Sequence, residues 1–413
     1  MGKQVVRRRM GLCVAAAVVL TAGTAGRGAA TKADIEKIRP LSVLTDEQLK
    51  QIDDFVAGQF NQMRGAREAP AVSQAAGDLT DTSQSRAAVA EGRLAYSDRY
   101  SAAVKQAYAG ALARGAELKK DAATDKQLLG EQMQIAAALV VASCDNPLLR
   151  EDLLKLAAEN DAAVRYWGVR GLTTENVRKY LQADANQDPR QQVLQALNAG
   201  AGLDNPAIVA EQIAVAAAQF PGDEAADKVL QQCVAKRLEP YRTWEVRQEI
   251  SDLGVLRAIL SVAGQPWTPG NEGRRAALVR AAADLFSVAA SRYIKGMQYV
   301  GPDNVRLVLL TDEDQTGLET LLIEGERLWA DVMARRQPGE LYPARFREAI
   351  TQRNMNRVES AYLALLGPDG AANRMFRLYP AGEAGPAVLD APADAIERAR
   401  NMASRRDKLL KTD

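Results

Sequence analysis

Two short stretches of the sequence combine arginine with tyrosine or tryptophan, the side chains that dominate binding hot spots. The candidate binding residues are Arg165, Trp167 and Arg170 in the first stretch, and Tyr241, Arg242, Trp244 and Arg247 in the second. Because guanidinium groups pair with carboxylates and other anions, the second stretch suits polyanionic or carboxylate ligands. The alternative for the first is that Trp167 belongs to the core and its arginines form ion pairs between structural repeats.

A third candidate is Trp267, which lies in the segment GQPWTPGNEGRR at residues 264–275. An aromatic side chain in an irregular loop either fills a gap in the core or contacts a ligand. Tyr342, directly before Pro343, poses the same choice. We expect packing for both loop aromatics and keep Trp267 as a candidate binding residue.

The chain contains no histidine. This excludes Ser-His-Asp and Cys-His catalysis, histidine-bearing zinc or iron sites and haem held by an axial histidine. Hydrolases that use two carboxylates need no histidine and are not excluded. However, the 52 acidic residues are spread over predicted helix faces and caps, so no pair can be singled out.

Three consecutive acids, at residues 312–314, could ligate a metal ion. They also directly follow Thr311, and acids in the first turn of a helix offset its dipole while a threonine caps the free N–H groups. We therefore predict a helix start there, with no metal site, and no cofactor anywhere in the chain.

The cysteines beyond the N-terminal segment are Cys144 and Cys233, which lie 89 residues apart. A disulfide between them is possible but disfavoured, because in a repeat array this separation spans about two repeats. That corresponds to roughly 20 Å at helix spacings of 8–10 Å, whereas a disulfide needs Cα atoms within about 7 Å. Both also lie among apolar helix positions, which predicts buried free thiols.

Residues 1–30 have the order of a bacterial-type signal peptide: basic residues, an uncharged apolar run, then small residues before Thr31. The whole chain carries a net charge of +1, and removal of this segment takes five cations and no acids, leaving −4. A slightly acidic chain does not suit nucleic-acid binding. The prediction is an exported protein, periplasmic or secreted, with membrane attachment only if the segment is retained.

Helical periodicity dominates the rest of the chain. A helical segment at residues 31–63 contains a helix that begins at Thr45, where Thr45 and Gln48 form a capping box. Residues 64–86, with Pro70 and many small and polar residues, predict a flexible linker. A helical region at 87–270 and a C-terminal helical region at 271–413 follow.

Part of the middle region resembles a HEAT repeat. A leucine-rich helix containing Leu153 and Leu156 is followed by Asp161, then Val164-Arg165, Gly168 and Leu172. In that family the aspartate caps the second helix, and the arginine reaches the aspartate of a neighbouring repeat. The likeness covers residues 147–172, and Gly168 stands where alanine is usual. The resemblance implies an all-α helical-repeat array, an α-solenoid-like superhelix. The spacing of 42 residues between Pro147 and Pro189 also suits such repeats.

The C-terminal half predicts longer helices, among them one stripe from Phe346 to Leu365 that ends at Gly367-Pro368. Residues 305–310 form the single strand-like segment, with nothing obvious to pair with. The sequence therefore predicts a non-catalytic scaffold or adaptor that binds a protein or another macromolecule of the cell envelope. Two alternatives stay open: an all-helical glycoside-hydrolase-like enzyme with a carboxylate pair, and a structural protein anchored by its N-terminus. The oligomeric state is not predicted.

Overall fold

The structure is a computed structural model that describes residues 30–266, 270–300, 306–339, 342–379 and 390–409. Its described residues form an all-α protein. The helices of the N-terminal half are α1 (Lys32–Ile38), α2 (Asp46–Gly65), α3 (Ala69–Thr82), α4 (Ala90–Leu118), α5 (Thr124–Ser143), α6 (Arg150–Ala157), α7 (Ala162–Leu172), α8 (Glu175–Gln182) and α9 (Gln187–Ala201). Those of the C-terminal half are α10 (Ala207–Ala217), α11 (Glu224–Thr243), α12 (Ile250–Ala263), α13 (Glu272–Met297), α14 (Asp312–Arg336), α15 (Phe346–Thr351), α16 (Met355–Leu366), α17 (Ala371–Phe376) and α18 (Ala393–Leu409).

Most of these helices fall into two rows, and the chain alternates between the rows. In the first row α2 packs on α4, α6 on α9, α9 on α11 and α11 on α13, while α4 meets the 3-10 turn Pro147–Leu149 that leads into α6. In the second row α3, α5, α7, α10, α12 and α14 pack in that order. Each first-row helix also packs on the second-row helix that follows it. Short α15, α16 and α17 pack on one another and on α13 and α14.

The interior is built largely from alanine, leucine and valine, as the low aromatic content requires. One large core cluster runs through the helices from Ile35 to Leu378. A second, small cluster joins α18 to the rest of the chain through Trp244, Leu307 and Ala395. Small residues allow close helix contacts; Gly171 of α7, for example, lies against Ala142 of α5.

The flexible linker predicted for residues 64–86 is wrong for most of that range. The structure has helix α3 there, which buries Val72, Ala75 and Leu79 against α2 and α5. Its period is carried largely by alanine, which makes a weak hydrophobic pattern. Pro70 lies in the first turn, where a proline gives up an N–H group that has no helical partner.

Capping predicted two helix starts correctly. The capping box of Thr45 and Gln48 begins α2, and Thr311 begins α14 with a capping box of its own that uses Asp314. Asp314 has a second role that Gln48 lacks. Its carboxylate also pairs with Arg292 of α13, with Arg292 Nη2 and Asp314 Oδ1 3.4 Å apart.

Two C-terminal predictions need correction. Residues 306–307 form a strand, β2, which pairs with the antiparallel strand β1 at Tyr299–Val300, so the segment is not unpaired. The stripe from Phe346 to Leu365 is divided into α15 and α16, because Asn354 caps the second helix. The C-terminal half does contain the long helices α13 and α14, together with α15 and α17 of six residues each.

None of the helices in the described residues is both long and apolar enough to cross a membrane. Residues 1–29, which contain nearly all of the predicted signal segment, lie outside the described residues.

Candidate binding surface

The first arginine–aromatic stretch forms a partly exposed cluster on α7. The rings of Tyr166 and Trp167 meet edge to face, with centroids 5.2 Å apart and planes at 82°. The Arg170 guanidinium lies over the Trp167 ring, 5.6 Å from its centroid, and Nη1 donates to the Tyr166 hydroxyl across 3.2 Å. Trp167 packs one side against the core. The cluster is therefore held in place while Arg170 remains exposed.

Arg165 does not belong to this cluster. Its side chain is buried, Nε donates to Asn205 Oδ1 across 2.9 Å, and Nη1 donates to the Glu159 carbonyl across 2.7 Å. The arginine thus ties α7 to the segment that precedes α10, 40 residues further along the chain. This corrects Arg165 as a binding candidate, because a partner cannot reach it in the folded chain.

The second arginine–aromatic stretch is divided between the interior and the surface. Tyr241 and Trp244 are buried, whereas Arg242 and Arg247 are exposed. Trp244 ends α11 in the left-handed region, with φ of 57°, and packs in the small cluster beneath α18. The expectation of a basic aromatic binding patch is therefore wrong for its two aromatic members. Trp267, the loop candidate, lies outside the described residues.

Tyr241 instead belongs to a buried ionic network that the sequence reasoning missed. Arg237 donates to Asp252 through Nε across 2.5 Å and through Nη2 across 3.0 Å, and the Tyr241 hydroxyl donates to the same carboxylate across 2.8 Å. Burial raises the pKa of Asp252, and Arg237 and Tyr241 oppose that rise. The carboxylate of α12 accepts three hydrogen bonds from side chains of α11 and so joins the two helices.

A second buried arginine, Arg292 of α13, donates to Glu249 and lies 3.4 Å from Asp314 at the start of α14. Glu249 and Asp252 are three residues apart at the start of α12. The mostly apolar remainder of α12 indicates a buried helix, and buried carboxylates need paired cations.

The exposed sides of three second-row helices join into one surface. At the first junction, Gln212 Nε2 of α10 donates to Thr173 Oγ1 at the end of α7 across 3.3 Å. At the second, Glu211 of α10 lies so close to Gly254 of α12 that a Cβ atom there would clash with it. We call this surface the second-row face. Its exposed or half-buried members are Tyr166, Arg170, Thr173, Ile208, Glu211, Gln212, Val215, Ile250, Arg257 and Ser261.

Two cations and one acid set the charge of the second-row face. Arg170 and Arg257 are exposed, and neither forms an ion pair with any described residue. Glu211 is half-buried; burial raises its pKa, opposed by a hydrogen bond with Ser251 and by the charge of Arg257. The face can therefore offer two guanidinium groups to an anionic partner, with Ile208, Val215 and Ile250 as apolar contacts.

The described residues offer little for metal binding or for carboxylate-pair chemistry. No group of three or more potential metal ligands occurs within the described residues. An open depression of about 410 Å³ lies between the end of α2 and α4, and Arg64, Arg114 and Glu117 are its charged lining residues. With one acid, this depression does not offer a carboxylate pair, and the carboxylate-pair enzyme stays an untested prediction.

Both cysteines in the described residues, Cys144 and Cys233, are free and buried. Burial raises the pKa of each thiol to about 12. They are therefore protonated at neutral pH and are not candidates for nucleophilic catalysis.

Comparison of the chain with protein-family models, with curated proteins and with solved structures found no match. The likeness to a HEAT repeat thus rests on residues 147–172 themselves, and the class that the structure defines is that of an all-α protein.

Proposed function

We propose that this protein is an exported helical-repeat scaffold, α-solenoid-like in arrangement, which binds another macromolecule of the cell envelope through the second-row face. The observation that carries the proposal is the continuity of that face across α7, α10 and α12. Stacked helix pairs present extended surfaces of this kind to partners. The step from such an array to binding is one of fold-level analogy.

Recurrent contacts between neighbouring helix pairs support a repeat arrangement. Three side-chain contacts join residues about one repeat apart in sequence. The separations are 42 residues for Lys119 and Asp161, 40 for Arg165 and Asn205, and 39 for Thr173 and Gln212. These separations fall in or just below the range of about 40–47 residues that is typical of HEAT and armadillo units. The family's arginine contact is here made to an asparagine rather than to an aspartate.

The α7 cluster supports a binding role for the surface. Trp, Tyr and Arg are enriched where interfaces gain most of their free energy. An aromatic pair with a guanidinium held over one ring loses little rotamer freedom on binding, because its contacts already limit its conformations. Tyr166 and Arg170 thus form a preorganised centre in the second-row face.

An affinity capture experiment tests the proposal. The full chain with a C-terminal tag is expressed in the source organism and recovered from its envelope fraction, in parallel with a Tyr166→Ala/Arg170→Ala variant. A matched control is Leu94→Ala/Arg93→Ala, which removes an exposed apolar and an exposed cationic side chain from the first-row helix α4. We expect one partner in stoichiometric amount with the wild type and the control, and its loss with the α7 variant.

The opposite result is equally specific. If all three proteins recover the same partner, the second-row face is not the interface. If none recovers a partner over a range of salt concentrations, the scaffold proposal fails, and turnover of envelope polysaccharides becomes the next assay. Circular dichroism of each variant checks that the helices are intact.

A further inference from the structure

Arg170 is poised to accept an anion. Its guanidinium lies over the Trp167 ring and uses one donor on Tyr166, which leaves the other N–H groups open to solvent. These two contacts limit the orientations of the group, and the planar guanidinium can pair bidentately with a carboxylate. No carboxylate among the described residues lies within ion-pair distance of it.

Arg257 offers a second cation on the same face, two helices away. It lies on the side of α12 that also carries Ile250 and Ser261, one turn from the Gly254 contact with α10. Glu211 is close enough for Arg257 to oppose the rise in its pKa, yet the two form no ion pair. Arg257 therefore also remains available.

We infer that the second-row face binds an extended acidic segment of a partner protein, whose carboxylates pair with Arg170 and Arg257. The inference rests on the proposed scaffold function and names the chemistry of its partner. The two arginines stand on α7 and α12, with α10 between them. Adjacent helix axes lie about 8–10 Å apart, so the two cations are roughly 16–20 Å apart.

This separation sets a register for the segment. An extended chain advances about 3.3 Å per residue and alternates the sides of its side chains. A separation of roughly 16–20 Å corresponds to about five or six residues, and of these only six keeps both side chains on the same side, so the two carboxylates belong to residues i and i+6. The side chains at i+2 and i+4 then lie over α10, where Ile208 and Val215 stand about one turn to either side of Glu211 and Gln212. The expected motif has an acidic residue at i, apolar residues at i+2 and i+4, and a second acidic residue at i+6.

An acidic polysaccharide fits this face less well. Sugar rings bind proteins by stacking on open aromatic faces, but the Trp167 ring is covered by Arg170 on one side and packs against the core. Tyr166 meets Trp167 edge to face and bonds Arg170. The apolar contacts on α10 also match aliphatic side chains rather than hydroxyl groups.

The test is a binding titration followed by fluorescence anisotropy. The probe is a labelled synthetic peptide, Ser-Glu-Ser-Leu-Ser-Leu-Ser-Glu-Ser, and the protein is the full chain. The variants are Arg170→Glu and Arg257→Glu; the matched control is Arg93→Glu, which makes the same charge change at an exposed position of α4. We expect each second-row reversal to weaken binding about 5- to 10-fold, and the control to leave it unchanged.

A charge exchange removes the ambiguity of a variant that folds poorly. Replacing one glutamate of the probe by lysine weakens binding to the wild type and restores it to Arg170→Glu or Arg257→Glu. A probe with its two glutamates five residues apart binds more weakly than the i, i+6 probe. Equal binding of both probes, or indifference to both reversals, overturns the inference.

Other outcomes separate this inference from the scaffold function. Recovery of a partner that depends on Tyr166 and Arg170, but is insensitive to Arg257→Glu and carries no acidic segment, refutes the inference and leaves the scaffold intact. Binding of polygalacturonate that is tighter than that of the peptide, and that is weakened by both Arg170→Glu and Arg257→Glu, identifies a polysaccharide site instead and overturns the inference. Failure of both the capture and the titration refutes both proposals.

Discussion

Gly168 of α7 lies directly against the backbone of α6, so close that a Cβ atom at residue 168 would stand 2.6 Å from the Leu156 carbonyl carbon. Real side chains do not approach backbone atoms at that distance. Alanine is usual at this position of the HEAT pattern that residues 147–172 resemble. The glycine lets α6 and α7 pack more tightly than an alanine would allow.

Replacing Gly168 by alanine should therefore destabilise the protein, although alanine is the better helix former. The clash is with backbone, so the two helices must separate, which costs about 1–3 kcal/mol. Urea unfolding followed by circular dichroism measures it. Gly58→Ala in α2 is the control: no atom lies within 4 Å of the new Cβ, and about 0.5–1 kcal/mol of stabilisation is expected. Equal stabilisation by both changes would contradict the close contact.

Two buried arginine–aspartate pairs should respond differently to mutation. The Asp252 carboxylate accepts three hydrogen bonds from Arg237 and Tyr241. Asp252→Asn leaves the Arg237 cation buried without a counter-charge, which costs about 3–5 kcal/mol of unfolding free energy. The measurement is the urea midpoint at neutral pH, and an unchanged midpoint would show that water reaches this pair.

The pair of Arg275 and Asp227 is looser, with Nη1 and Oδ1 3.9 Å apart, and the arginine Nε and Nη1 have no hydrogen-bond partner among the residues that the structure describes. At this distance the attraction between the two charges offsets little of the free energy that their burial costs. We expect the double change Arg275→Met/Asp227→Leu to leave the unfolding free energy within about 1 kcal/mol of the wild type or to raise it. The matched change Arg237→Met/Asp252→Leu, which strands the Tyr241 hydroxyl, should be the more harmful. The reverse order would contradict this interpretation.

The fold class and many helix starts follow from local rules. Thr45, Asp161 and Thr311 each cap the helix that begins at the next residue. Residues 69–82 were missed because alanine gives a weak hydrophobic period, and the packing that makes α3 a helix comes from α2 and α5, which are distant in sequence.

The candidate site was harder to predict than the fold. One helix carries all three candidates Arg165, Trp167 and Arg170, in similar local sequence. Arg165 is nevertheless buried, because it bonds Asn205, a residue 40 positions away. Periodicity could not have shown that contact. The composition of α12 gave a weaker signal, because a helix that is mostly apolar is buried, and an acid at its start then needs a paired cation.

Cys144 and Cys233 should resist thiol reagents in the native protein. Burial raises the pKa of each thiol to about 12, so at pH 8 almost no thiolate is present. In a Cys13→Ser background, alkylation followed by mass measurement should add nothing to the folded chain and two groups to the chain in urea. Ser261→Cys, at an exposed position, is the reactive control. A chain to which alkylation adds nothing in urea would instead contain a disulfide.

The contact between Lys119 and Asp161 predicts a pH-dependent contribution to stability. Partial burial raises the pKa of Asp161, but the Lys119 ammonium and the N–H groups of Ala163 and Val164 outweigh it, so the pKa lies below its ordinary value. A carboxylate with a lowered folded-state pKa stabilises the fold above the unfolded pKa of about 4, and that stabilisation is lost as the pH falls through the folded value.

Lys119→Met should therefore lower the unfolding free energy by about 0.5–1 kcal/mol at pH 7, since the pair is partly exposed. The difference from the wild type should shrink as the pH is lowered from 5 towards 3, because Asp161 becomes protonated in both proteins. Lys120→Met changes the same charge at an exposed neighbouring position and should show neither effect. Urea unfolding of the three proteins across this pH range measures it. A Lys119→Met difference that persists undiminished at pH 3 would mean that the lysine acts through packing rather than through its charge on Asp161.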